Sequence, residues 1–219
     1  MRRLFLLLIA VLPSSVKIAI LRQMFGYKIG NGVRIGFSVI DVRHCELDDG
    51  CSIGHLNTIQ GFDLLRIGRS SSILNLNRIT GSSRTSQLFP HSTCKESAFC
   101  MGEESCLTSR HLVDVQDRIE IGAFTTIAGA TSQIWTHGID VEMAQQTTHP
   151  VQVGSYSYIG ARVLLLPDCV VPDRCVVAAG AVVAGVLPEE NAVYAGMPAA
   201  LKKSGIQGAY FTRKRGPVE

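Results

Sequence analysis

The chain has 219 residues, 46% of them hydrophobic, 18% charged and 6% aromatic, with a formal net charge of +3. That length and apolar content suit one compact domain with appendages and a continuous core, and exclude a disordered protein. A net charge this small gives no ground for nucleic-acid binding.

Residues 1–28 form a segment of their own. Arg2 and Arg3 precede LFLLLIAVL, a pattern like the start of a signal peptide, but beyond Pro13 the chain continues as SSVKIAILRQMFG with no small-x-small cleavage site. The apolar run is also too short to span a bilayer. One or two amphipathic helices broken at Pro13 are predicted, with Lys17 and Arg22 on the polar side. Two roles stay open: capping the adjoining end of the main domain, or lying in a membrane interface with Arg2, Arg3, Lys17 and Arg22 toward anionic headgroups.

From residue 29 an aliphatic residue followed by glycine recurs: Ile29-Gly30, Ile35-Gly36, Ile53-Gly54, Ile67-Gly68, Ile121-Gly122, Val153-Gly154 and Ile159-Gly160. Within each block the spacing is six or a multiple of six, the mark of a solenoid whose units bury their apolar position by stacking. An amphipathic helix would repeat at three or four. The first block holds Ile29, Ile35, Leu47, Ile53 and Ile59, with Asp41 as a polar exception. Ile67, Ile73 and Ile79 keep a second phase that Ile121 and Ile127 rejoin. Thr80 to Thr93, rich in Ser and Thr and carrying Pro90, reads as a loop or slackened coil. Phe99 to Arg118 is only loosely hexameric. Gly138 to Pro150 interrupts the repeat again, and a long loop leaving a regular solenoid is a candidate functional element. Val153, Ile159, Leu165, Val171, Val177 and Val183 then fall in one phase. Ser157, Val163, Cys169, Cys175 and Ala181, each four residues further on, are candidate small inward positions. The domain limits are then 1–28 for the helical segment, 29–190 for the solenoid and 191–219 for a C-terminal extension, in which Arg213, Lys214 and Arg215 read as a solvated tail.

The cysteines follow the repeat, not a disulfide framework. Cys45 and Cys51, Cys169 and Cys175, and Cys94, Cys100 and Cys106 run at intervals of six, so they read as buried thiols in a reducing compartment. With no closely spaced histidines and no C-x-x-C pair, no metal site is predicted.

Taken together, the repeats, IWTHGID (134–140), VQVGSYSYI (151–159), AGMPA (195–199) and the opening LPSSVKIAILRQMFGYKIG are similar to the hexapeptide-repeat acyltransferases, and most closely to the branch that O-acetylates sugars and polysaccharides. The resemblance implies an all-β fold: a left-handed parallel β-helix solenoid with a short N-terminal helical segment, forming homotrimers with active sites between subunits. It implies acetyl-CoA as acyl donor, a small-molecule or lipid-linked sugar as acceptor, and a cytoplasmic enzyme, with peripheral contact at the inner face of the membrane as a further option.

Acyl transfer from a thioester to a hydroxyl needs a base near neutral pH. Of six histidines, His137 stands in the family's T-H segment beside the long loop and is the candidate catalytic base. His111 is a weaker candidate for orienting the acceptor, with a structural role favoured; His44, His55, His91 and His149 have no assigned task. The resemblance places the donor's pantetheine arm along small residues at Ala161 and Ala179 and its nucleotide end near Lys202 and Lys203. The chain departs from the family pattern at Ala184-Gly185-Val186 and at Met197. An amino-sugar N-acetyltransferase and a non-catalytic scaffold are the alternative readings.

Overall fold

The computed structural model describes residues 2–85, 88, 89 and 96–216. His91, Cys94 and the side chains of Arg2 and Arg3 lie outside the described residues.

Each hexad supplies a short strand and a turn. In Val170–Val171, Val176–Val177 and Val182–Val183 the second valine is buried and the first is half-exposed, as the alternation of a strand demands. Three hexads close one coil, and coils stack in parallel register. The result is a three-sided left-handed β-helix. One face runs from Lys28–Ile29 through seven strands to Val170–Val171, and the second from Arg34–Ile35 to Val193–Ala195. The third runs from Val39–Asp41 to Val182–Val183. Columns of aliphatic side chains fill the prism: Ile29, Leu47 and Ile67 on the first face, Ile35, Ile53 and Ile73 on the second, and Ile59, Ile79 and Val113 on the third. Each such burial is worth roughly 1.5–3 kcal/mol.

Two polar columns line the edges inside the prism. Between the first and second faces, backbone N–H groups donate downward from coil to coil: Ser105 to Ser71 Oγ, Thr125 to Ser105 Oγ, Ser157 to Thr125 Oγ1 and Cys175 to Ser157 Oγ. This edge also needs glycine. A Cβ on Gly102 would fall 2.6 Å from the backbone N of Ala123, and one on Gly122 2.5 Å from that of Ser155. Between the second and third faces, Asn57, Asn77, His111 and Ser132 form the matching column.

The sequence phases and the coils agree, with two refinements. Asp41 is no gap in the core, because the third face turns inward one residue earlier and buries Ile40. The loose stretch from Phe99 to Arg118 is a coil longer than three hexads: Met101 pairs with Ile121 and Leu107 with Ile127.

Helix α1 (Arg2–Ala10) and helix α2 (Ser14–Phe25) close the bottom of the prism. Leu6, Ile9 and Leu21 join its core. The expected polar placement of Lys17 is wrong. Lys17 is 1% exposed, and its ammonium donates to the carbonyls of Ala10 and Gly36. It neutralises carbonyls that a first coil, having no coil beneath, leaves open. Arg22 does the same for Ile29 and Gly30, so its guanidinium is committed to the protein. At the top, parallel stacking continues past residue 190 through Val193–Ala195, and Ala200–Lys203 returns antiparallel beside it.

Lys214 and Arg215 are exposed as expected, but Arg213 is not solvated and the tail is not free. It folds down the edge between the first and second faces, where Phe124 and Tyr156 stack with centroids 4.7 Å apart. The Arg213 guanidinium lies 3.8 Å from the Tyr210 ring centroid and close to both other rings. A planar delocalised cation suits such an aromatic nest.

Candidate active site

Both insertions leave the stack at the edge between the third and first faces. Residues 82–85 follow Arg78–Gly81 and residues 96–97 lead back into Ala98–Met101, while residues 135–150 follow Gln133–Ile134; the turn 116–118, one rung from each, lies between them. The second insertion is an antiparallel hairpin in which His137–Asp140 pairs with Gln145–Thr148. The sequence interruption at 138–150 is therefore an ordered ribbon anchored at His137.

Thr136, fully buried, fixes the root of that ribbon. Its hydroxyl accepts from the backbone N–H of Gln116 at 2.8 Å and of Asp117 at 3.0 Å, and donates to the Asp114 carbonyl at 2.8 Å. The next residue is thereby aimed. Nδ1 of His137 lies 2.7 Å from Oδ2 of Asp114. That oxygen also accepts from the Thr136 N–H at 3.2 Å, and the other, Oδ1, accepts from Gln116 Nε2 at 3.2 Å. A buried carboxylate needs such partners. Because a carboxylate can only accept, Nδ1 carries the proton and Nε2 keeps a free lone pair; Nε2 has no hydrogen-bond partner among the described residues.

Aromatic rings flank the imidazole. Phe89, from the first insertion, and Trp135 have ring centroids 5.8 and 5.7 Å from that of His137. Ser82 Oγ donates to Gln116 Oε1 at 2.6 Å, which ties the first insertion to the carboxylate network. The two insertions thus build one site around His137.

His111 is not part of it. The ring is buried in the polar column: Nδ1 accepts from the Ser132 N–H at 3.2 Å and Nε2 lies 2.9 Å from Thr108 Oγ1. Burial lowers its pKa to about 4, so it is a neutral spacer between coils. Cys45, Cys51, Cys169 and Cys175 are buried as expected. Desolvation pushes the Cys51 thiol up to about 11, Cys169 to about 12, and Cys45 higher still, so none of these is a ready nucleophile.

Ala161 and Ala179 stack one coil apart on the edge between the second and third faces, with Gly180 N–H donating to the Ala161 carbonyl at 2.9 Å. Gly129 lies directly beneath, and a Cβ there would be 2.5 Å from that of Ala161. Lys202 and Lys203 are exposed on the returning strand beside the second face. These four residues share the upper part of the stack, but the whole width of the third face separates Ala161 and Ala179 from His137. One copy of the chain does not bring them together.

Sequence reasoning singled out His137 as the candidate base and did not single out Asp114, Gln116 and Phe89, which surround it. Asp114 was within reach. The Val113-to-Ile134 register places it one rung from Thr136 and His137, but the drifting coil length hides that register.

No family model matches the chain, and no curated protein matches it. Solved structures do. It is similar to AntD, an N-acyltransferase from Bacillus cereus solved with dTDP-4-amino-4,6-dideoxyglucose and coenzyme A, at 16% identity over 82% of this chain and 84% of that one, TM-score 0.55. It is also similar to the polySia-specific acetyltransferase NeuO, at 16% identity over 82% of each chain, TM-score 0.53. At such identities the likeness shows the fold alone, a β-helix of the kind found in these two enzymes.

Proposed function

We propose that this chain is an acyltransferase that moves an acetyl group from acetyl-CoA to a hydroxyl of a sugar acceptor in glycan biosynthesis, with His137 as general base. The observation that carries the reading is the Asp114–His137 pair at 2.7 Å. It presents a basic nitrogen at an edge framed by two insertions and aromatic rings.

In the reaction, Nε2 takes the acceptor hydroxyl proton as that oxygen attacks the thioester carbonyl. The tetrahedral oxyanion collapses with expulsion of the thiolate, which recovers the proton from the imidazolium. Asp114 holds the tautomer and stabilises the transient imidazolium, as a buried carboxylate does for a catalytic histidine. Phe89 and Trp135 offer flat apolar surfaces to a sugar ring.

The donor would lie along Gly129, Ala161 and Ala179, where absent side chains leave room for a narrow chain, with Lys202 and Lys203 toward its phosphates. Since one copy keeps these residues apart from His137, the complete site is proposed to form between copies in a homotrimer. The hairpin supports this reading, because its tip exposes Ile139, Val141 and Met143, apolar side chains that a neighbour would cover.

An amine acceptor is the second reading. The same lone pair serves an amino group, and AntD is an N-acyltransferase. An acceptor screen that follows free thiol release from acetyl-CoA, with products identified by mass, tests both. Ester products from sugar hydroxyls support the first reading and amides the second. Equal thiol release by the native chain and by His137→Ala across the screen would remove both.

A further inference from the structure

Helix α1 has two apolar sides, and the solenoid uses one. Leu6 and Ile9 are buried in the core, while Leu4, Leu7, Leu8 and Val11 are 67%, 56%, 61% and 65% exposed. Their spacing of three, four and seven sets them along one stripe, Leu4, Leu7 and Leu8 on the helix and Val11 in the turn just after it. Capping and surface contact were alternatives in the sequence; in the fold they belong to opposite sides of one helix.

Charge is segregated to the same end. The first 40 residues hold six of the 21 Lys and Arg and none of the 18 Asp and Glu; the rest of the chain therefore carries 15 basic against 18 acidic residues. The first carboxylate is Asp41. Lys17 is buried and Arg22 is bonded to carbonyls, but both still add positive charge to this end. Arg34 is exposed, and Lys28, 2.9 Å from Glu46, has a largely exposed side chain.

We propose that this end of the prism docks on an anionic lipid bilayer, with Leu4, Leu7, Leu8 and Val11 entering the interface and the net positive charge of this end drawing it to the headgroups. Among the described residues no helix is long and apolar enough to cross a membrane, so α1 lies on the surface. A second copy fits this ridge poorly. Docking end to end would oppose two ends of the same positive sign, and one stripe of a two-turn helix falls well short of the roughly 1,200 Å² that a stable protein interface buries. Lipid matches both the shape and the sign. Such docking is independent of the catalytic reading.

The test is cosedimentation of the full chain with phosphatidylcholine vesicles, with and without about one third phosphatidylglycerol. Native protein should bind the anionic vesicles, and release them as salt is raised. Leu7→Glu with Leu8→Glu, both at exposed positions, should bind roughly tenfold or more weakly while keeping the native circular dichroism and oligomeric state. Val11→Asp replaces the double variant should that one fail to fold. Native protein that ignores anionic vesicles, binding that is indifferent to lipid charge, or a folded variant that binds as well as native would overturn the proposal. So would a variant that loses its oligomeric state together with binding, which would assign the ridge to a contact between copies.

Discussion

Nδ1 of His137 stands 2.7 Å from Oδ2 of Asp114, joining a residue at the root of the hairpin to one on the rung below. His137→Ala should therefore lower turnover by roughly a hundredfold or more, the scale of a lost general base. It should leave the melting temperature near native, because the half-exposed ring packs at the edge and not in the core. Steady-state kinetics beside thermal unfolding checks both.

Asp114 touches no reacting atom and acts through His137. Asp114→Asn can donate to Nδ1 and so favour the wrong tautomer, an effect that should reduce kcat about tenfold to a hundredfold. KM for acetyl-CoA should stay unchanged. A matching rise in that KM would instead mark Asp114 as part of donor binding.

Assembly is expected to be trimeric and necessary. Sedimentation equilibrium should give three copies, and Val141→Asp with Met143→Asp, at the exposed hairpin tip, should weaken association and activity together. A fully active monomer would refute the shared site.

His111 should make the fold acid-sensitive. Its pKa is lowered to about 4 in the folded chain against about 6.5 unfolded. As pH falls from 6.5 toward 4 the unfolded chain takes up a proton that the native one refuses, so stability drops across that window, on the order of 3 kcal/mol in total. The native melting temperature should fall more steeply than that of His111→Gln between pH 7 and about pH 4.5. Parallel curves would show that the ring is solvated.

Arg213 clamps the tail through Tyr210, Phe124 and Tyr156. Arg213→Ala should cost about 1–2 kcal/mol, lowering the melting temperature by a few degrees. It should also make the tail beyond the last strand easier for protease to cut. Unchanged cleavage would show that the returning strand alone holds it.

The fold was legible because burial imposes the hexad directly on the sequence. Val171 and Val177 could hardly be read otherwise. His137 was singled out as a candidate through its T-H neighbour, and Thr136, whose hydroxyl staples the turn beneath, is what aims it. Asp114, Gln116 and Phe89 were not, because they reach the site through coil register and through an insertion that leaves the same edge. Lys17 misled because a lysine in an apolar helix ordinarily points to water. Only the open carbonyls of a first coil give it a better destination. Arg213 misled for a similar reason: beside the local Tyr210, its aromatic partners Phe124 and Tyr156 lie in coils far away in sequence.

The close approach at Gly102 and Gly122 has a consequence for how such a chain can change. A single methyl at either position would strike the backbone of the next coil, so the rungs cannot be eased apart locally. The stack works as a gauge graduated in steps of about 4.8 Å, against which His137, Ala161 and Ala179 hold fixed readings. On the proposed function, a longer donor or a bulkier acceptor would require adding or removing a whole graduation, or reshaping the two insertions that stand outside the scale.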